Sequence, residues 1–344
     1  MEIKRIGVDT SKHVFTLHGV DASGAAVLRR DLRRGAFEAY MAKLAPTEVA
    51  LEACGGAHHW ARRLAAMGHR VRLIPPQYVK PYVKRGKTDR ADAEAICEAA
   101  ARPSMRFVPT KTAERQGEIM VLRTRELLVR QRTQVVNALR GHATEFGLVV
   151  PLGVSRVEEL LAKLASDPEV PDIAREVLAL LGRQVEQIDQ QLATIDARLL
   201  AMHKANEVSR RLARVPGVGP VTAISLALSV DPEQFESGRH LAAWLGLTPR
   251  AHSSGGKQRL GGISRAGNER LRQLLVVGAT AVIRHASRPG ARQASRWLTQ
   301  LLARKPRKLA AVALANKTAR IVWAMMMRGE AYRARPLEAG AGGQ

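Results

Sequence analysis

IKRIGVDTSKHVFTLHGVDASGAAVLRRDL, residues 3–32, decides how the first third of the chain folds. Residues 6–9, 14–20 and 26–32 are short runs rich in apolar and β-branched side chains, and the turn Asp21-Ala-Ser-Gly24 separates the last two. Runs of this length joined this closely predict three consecutive antiparallel strands. Beyond them the period changes. Phe37, Tyr40, Met41 and Leu44 are spaced for a helix, 49–52 reads as a buried strand, 58–67 as a helix and 71–74 as another strand. The resulting order, βββαβαβα through about residue 108, is that of an α/β layer fold.

After Pro109 the strand signals stop. Residues 112–207 read as two long helices around a Pro/Gly-containing break at about 147–171. In the second helix Leu181, Val185, Ile188, Leu192, Ile195 and Leu199 step by alternating fours and threes, which keeps one apolar seam facing a partner helix. Val121, Leu128 and Val135 supply the matching heptad spacing in the first, so an antiparallel coiled-coil arm is expected. That first helix also carries Arg123, Arg125, Arg130, Arg132 and Arg140, readable either as a solvated face or as a phosphate-contacting one. Residues 208–330 are helical apart from two glycine-rich interruptions, and 331–344 form a tail expected to be disordered. The expected domains are therefore 1–110, 111–207 and 208–330, followed by that tail, with no internal repeat.

Composition narrows the function classes. The chain has 344 residues, with 55 Lys+Arg against 31 Asp+Glu, a formal charge of +24. A polyanion is the natural partner for such a surface. Aromatic residues make up only 4%, which favours phosphate contact over base stacking as the source of grip. Cys54 and Cys97 cannot build a disulfide framework and offer no CxxC zinc spacing. The apolar stretches 309–314 and 321–327 are too short for a bilayer crossing, and no signal-like apolar core precedes the first strand. The expected location is the cytoplasm.

Four acids stand out. Asp9 ends the first strand, where a side chain leaves the sheet edge, and Glu52 ends another buried strand. Asp89 and Asp92 in GKTDRADAEA are three apart, which places both carboxylates on one face of a helix's first turn. Brought together, four carboxylates repel one another unless divalent cations screen them, and magnesium takes oxygen ligands of this kind. Plainer readings stand beside this one: Asp89 as an N-cap with Asp92 facing the helix dipole, and Asp9 as an Asx turn. Glu52 is harder to dismiss, since a buried acid needs a partner.

Two further motifs lie downstream. VPGVGPVTA, residues 215–223, reads as a helix-turn-helix hairpin, with Gly217 and Gly219 able to bring backbone N–H groups near a phosphate or simply to make a tight turn. In HSSGGKQRLGGISRAG, residues 252–267, Ser253 and Ser254 are bordered by Lys257, Arg259 and Arg265. Such a segment is either a flexible basic loop or a hydroxyl nucleophile surrounded by cations.

IGVDTSK, ALEACGG, GKTDRADAEAI, VPGVGPVTA and AAWLGLTPRAHSSGGKQRLGGISRAGNERLR, in this order, resemble the transposases of the insertion sequence 110 family, with wording close to its 1111 subgroup. The resemblance spans nearly the whole chain. It implies an RNase H-like (RuvC-like) N-terminal domain with a DEDD tetrad, here Asp9, Glu52, Asp89 and Asp92, holding Mg²⁺ in a two-metal site. It implies further a coiled coil, then a mainly helical transposase domain with a nucleophilic serine, matched here by Ser254 with Ser253 adjacent. Members recombine target and donor DNA under the guidance of a structured bridge RNA. A homo-oligomer, dimer or tetramer, joined through the coiled coil is expected. The protein would then be nucleoid-associated when acting. Two other classes compete: a metal-dependent, structure-specific DNA endonuclease using the same tetrad, and a non-catalytic nucleic-acid-binding protein. The tetrad disfavours the last, and the serine motif separates the first two, because metal-assisted hydrolysis needs no protein nucleophile.

Overall fold

The computed structural model describes residues 2–84, 88–252, 259–288 and 295–333, and divides the chain into two compact units, Met1–Gly117 and Glu118–Gln344. Ser253, Ser254, Lys257 and the tail from 334 onward lie outside the described residues.

The first unit opens with the expected meander: β1 (Arg5–Thr10), β2 (Val14–Val20) and β3 (Ala26–Arg33). Helix α1 (Arg34–Met41), β4 (Glu48–Glu52), α2 (Ala57–Ala66), β5 (Arg70–Ile74), the single turn α3 (Pro76–Val79) and α4 (Asp89–Ala100) follow. The five strands form one sheet in the order β3-β2-β1-β4-β5. β1 is antiparallel to β2 and parallel to β4, and β5 is parallel to β4, which is the strand arrangement of an RNase H-like fold.

Strand alternation assigns the two faces. Ile6, Val8, Phe15, Leu17, Val49 and Leu51 point toward α1 and α2, where Phe15, Phe37 and Trp60 meet edge to face with ring centroids 4.8–5.2 Å apart. Each such pair contributes about 0.5–1.5 kcal/mol beyond the area it buries. The opposite face receives α4, whose Ala95, Ile96 and Ala99 pack with Ala50 and Ile74. Gly7 makes that approach possible: a Cβ there would stand 2.3 Å from the Ala93 carbonyl oxygen. A side chain at position 7 would push α4 off the sheet.

The second unit is helical apart from one hairpin. α5 (Ala113–Thr144), within which the division between units falls, and α7 (Asp172–Ala205) are the two expected long helices. They run antiparallel: Arg125 pairs with Asp196 and Arg132 with Asp189, so seven residues up one helix match seven down the other. Leu128, Ile188 and Leu192 are buried between these ion pairs. The segment read as a break contains a further helix, α6 (Val157–Ser166), whose Val157, Leu160 and Leu164 close the far end of the pair against Val136, Leu139 and Leu178. The prolines and glycines on either side hid it.

Then come α8 (Glu207–Leu212), α9 (Pro220–Ser229), α10 (Gly238–Trp244), the hairpin β6 (Pro249–Ala251) and β7 (Leu260–Ile263), α11 (Glu269–Ala286), α12 (Arg296–Arg304) and α13 (Arg307–Arg328). Among the described residues α13 is long and apolar enough to cross a membrane. Its Ala310, Ala315, Ala319 and Val322 are instead fully buried in the core built with α10 and α11.

Candidate metal centre and nucleic-acid contacts

β1 and β4 lie side by side in parallel with Val8 opposite Leu51, so the residues that follow, Asp9 and Glu52, leave the sheet at the same edge. Parity sends both side chains to the face that α4 covers, since their neighbours Val8 and Leu51 fill the other core. α4 begins at that edge and presents Asp89 and Asp92 from its first turn. The Thr88 side chain accepts from the Ala91 amide and does the capping. Asp89 is thus relieved of the N-cap role. Asp9 lies inside β1 opposite Thr16, which replaces the Asx-turn reading.

One carboxylate oxygen from each of Asp9, Asp89 and Asp92 lies within 4.8 Å of the others. Burial pushes the Asp9 carboxyl up to about 6, and the charges of Asp89, Asp92 and Glu52 push it the same way. Glu52 is also raised, by burial first and by Asp92 second. Four acids from three elements therefore share one field, and none has an ion-pair partner among the described residues. A set of hard oxygen donors around a carboxyl whose charge is disfavoured suits a divalent cation.

The cysteines take no part in a cage. Cys97 is buried, and its thiol is pushed up to about 11 chiefly by that burial. Cys54 is exposed, 3.5 Å from the Thr10 hydroxyl.

The residues expected to contact nucleic acid separate into groups. Arg125 and Arg132 are held by Asp196 and Asp189, and Arg140 donates to the Pro151 and Gly153 carbonyls at 3.0 and 2.8 Å. Their guanidinium groups make contacts inside the chain. Arg123 and Arg130 are exposed and have no hydrogen-bond or ion-pair partner among the described residues. Gly217 has φ +85°, and a Cβ there would meet the Gly278 carbonyl oxygen of α11 at 2.8 Å. It is a packing glycine. Gly219 has open space around it at the start of α9.

β6 and β7 bracket residues 253–258, and the His252 amide donates to the Arg259 carbonyl at 2.8 Å. Arg265 follows the hairpin in the left-handed region, φ +56°. Its amide donates to the Gly246 carbonyl, and Arg272, buried, donates to the Leu245 and Ala266 carbonyls at 3.1 and 2.7 Å. The turn after the hairpin is thereby tied to the end of α10. Gly7, Thr88 and Arg272 are contributions that sequence reading missed. Only Thr88, a threonine three residues before a small residue at a helix start, carried a local signal.

Residues 6–147 match the family model of a DEDD transposase, and residues 209–295 that of the transposase IS116/IS110/IS902 family. A Sinorhizobium fredii protein named as a transposase, y4pF/y4sB, is 54% identical over 96% of this chain and 86% of its own length. The transposase for insertion sequence element IS1111A of Coxiella burnetii is 45% identical over 96% of this chain and 92% of its own, and that for IS1328 of Yersinia enterocolitica 37% over 95% and 98%. Similarity of this extent, together with the carboxylate cluster at the sheet edge, means that the chain belongs to the IS110/IS116/IS902 family of insertion-sequence transposases.

Proposed function

We propose that this transposase cuts and rejoins DNA strands by combining two chemistries, one on each unit. Asp9, Asp89 and Asp92, with Glu52 beside them, hold Mg²⁺. The observation that carries this is the approach of three carboxylate oxygens within 4.8 Å, in a setting that raises the Asp9 carboxyl to about 6. Cations bound there supply Lewis-acid stabilisation of the charge that develops on a phosphate. β1 and β4 hold two of the carboxylates rigidly, and the Thr88 cap with the close α4 packing over Gly7 sets the other two.

Ser254, with Ser253 as the neighbouring alternative, supplies the nucleophile. As its Oγ bonds to phosphorus, the hydroxyl loses its proton, one phosphodiester P–O bond breaks, and the displaced deoxyribose oxygen gains a proton. The ester is conserved in a phosphoserine link, so rejoining needs no nucleotide cofactor. Arg259, Arg265 and Lys257 offset charge on the phosphate. A bridge RNA pairs with target and donor DNA. The α5–α7 arm joins copies of the chain, supported by an exposed apolar stripe, Ile173, Val177 and Leu180, at helical spacing on α7. The three-way division of the chain at about residues 110 and 207 belongs to the same reading, as does a cytoplasmic location.

The test is strand exchange with purified protein, RNA transcribed from the DNA flanking the gene and both DNAs, with Mg²⁺ present or chelated. A protein–DNA adduct that forms with wild type and is lost in Ser254→Ala supports the reading. Metal-dependent cleavage without an adduct assigns the site to hydrolysis, and an adduct lost only in Ser253→Ala moves the nucleophile by one residue.

A further inference from the structure

The first turn of α4 carries two of the four acids, yet none of its residues is fully buried: the packed residues of this helix begin at Ala93. The Thr88 cap fixes the backbone of that turn without tying it to the sheet. The tie is polar and can be followed strand by strand. Asp9 of β1 stands opposite Thr16 of β2, and Thr16 stands opposite Asp31 of β3. Residues paired directly across strands point to the same face, so the three side chains form a row on the side that α4 covers. Asp31 closes the row. Its Oδ1 accepts from the Thr16 hydroxyl at 2.9 Å, and its Oδ2 accepts from the Arg90 guanidinium at 3.1 Å. Arg90 lies on the first turn of α4 between Asp89 and Asp92, each of which brings a carboxylate oxygen within 4.8 Å of one on Asp9. The path β1–β2–β3–α4 therefore returns to the acid from which it began. A cation in the first turn opposes the helix dipole, so stabilising α4 does not account for Arg90.

We propose that Asp31 and Arg90 are positioning residues of the metal centre: through Thr16 they pin the first turn of α4 to the sheet and so set the spacing of Asp89 and Asp92 from Asp9. The pair is exposed, at 42% for Asp31 and 79% for Arg90, so it contributes little to folding. Its effect lies in geometry. A cation such as Mg²⁺, which demands near-octahedral oxygen coordination, tolerates little displacement of its ligands, and this turn has no buried side chain of its own to restore it. Charge alone assigns the two residues opposite roles, since Arg90 repels an incoming cation and Asp31 attracts it. Positioning assigns them the same role, because losing either breaks the same bond. The inference rests on the reading of the four acids as a divalent-metal site, and it names residues outside the tetrad that hold that site in shape.

The experiment titrates the full chain, without nucleic acid, with Mn²⁺ as the probe, and reads free Mn²⁺ by electron paramagnetic resonance. Asp31→Asn and Arg90→Gln should each raise the Mn²⁺ Kd about tenfold, the scale on which losing the support of metal ligands is felt. The double variant should bind no more weakly than the weaker single one, because both changes break one bond. Arg102→Gln removes the same charge from a pair with Glu98 at the other end of α4 and should leave the Kd unchanged. Thermal melts of the metal-free variants should stay in place, which separates displaced ligands from a loosened fold. Arg90→Gln binding Mn²⁺ as tightly as wild type, or more tightly, would overturn the proposal and leave the pair acting by charge alone. Losses that multiply in the double variant, or melting that falls in step with affinity, would overturn it as well. Mn²⁺ binding lost in Asp9→Asn but untouched in Asp31→Asn and Arg90→Gln removes this inference alone, whereas wild-type binding in Asp9→Asn removes the metal-site reading beneath it.

Discussion

The carboxylate edge of the first unit and the paired helices of the second treat like charges in opposite ways. At the sheet edge Asp9, Glu52, Asp89 and Asp92 are gathered from three elements, and none is answered by a cation among the described residues. Along α5 four of the arginines fall into two heptad positions. Arg125 and Arg132 are answered by aspartates of α7, and Arg123 and Arg130, on the same helix, are not. Charge that is matched inside the chain holds the fold together. Charge that is concentrated and left unmatched lowers stability, and persists where a ligand of opposite sign completes it.

The largest expected effect breaks the first half of this comparison. Asp9→Asn removes the most perturbed carboxylate of the cluster while conserving its shape. DNA strand cleavage in Mg²⁺ should fall by about 10³-fold or more, the scale on which losing charge stabilisation at a phosphoryl centre is felt. Retained cleavage, measured on gels with Mg²⁺ in excess, would remove the acids from the chemistry.

Next in size is a purely structural change in the second unit. A Cβ at position 278 would stand 1.9 Å from the Gly217 carbonyl oxygen, so Gly278→Ala must separate α11 from the turn before α9. A loss of about 3 kcal/mol is expected in urea melts. A loss below about 1 kcal/mol would mean that Gly217 is free to serve a ligand after all.

The stability of Asp9→Asn carries the opposite sign from its activity. A carboxyl held at about 6 in the fold and 3.8 when unfolded keeps its proton longer in the folded state. Stability therefore falls as pH rises from about 4 to 6 and stays lower above that. Solvent screening at this partly exposed site reduces the full linkage, leaving about 1–2 kcal/mol. Asp9→Asn in chelator should gain that amount at pH 7 and almost nothing at pH 3.5. Equal melting of the two proteins at pH 7 would show that the four acids do not strain the fold.

How much of this was legible beforehand follows from what each signal depends on. The strand-end acids and the i, i+3 aspartates could be read because parity and helix period are local properties of the chain. Gly7 could not, because a glycine in a strand acquires meaning only when α4 lies against it. The arginines of α5 were visible as a basic flank, yet only the register with α7 separates the paired from the unpaired, and that register is a tertiary fact. Helix α6 was lost for a third reason, since Pro151, Gly153, Pro168 and Pro171 around it mimic a loop. The apolar seam was read correctly as a helix-pairing face, but burial of Ile188 inside its own chain changes the test of self-association. Ile188→Asp would unpair the helices themselves, whereas Leu180→Asp, at an exposed position, should lower the mass seen by light scattering and leave the melting curve in place.

The smallest effect sharpens the other half of the comparison. Arg132 and Asp189 meet at 2.6 Å on a part-buried flank of the helix pair, a setting in which an ion pair contributes about 0.5–1 kcal/mol. Its energetic contribution is small, but its position is informative, because together with Arg125–Asp196 it states the antiparallel register. Arg132→Asp alone sets two carboxylates against each other and should destabilise by about 1 kcal/mol. Adding Asp189→Arg restores an attraction with the partners exchanged, and urea melts of the two single variants and the double should yield a coupling of about 0.5–1 kcal/mol. The same pair of changes at Arg130 and Asp189 should show no coupling, since Arg130 belongs to the unmatched position. If instead Arg130 couples to Asp189 and Arg132 does not, the helices are rotated from this register, and the paired and unpaired arginines exchange roles.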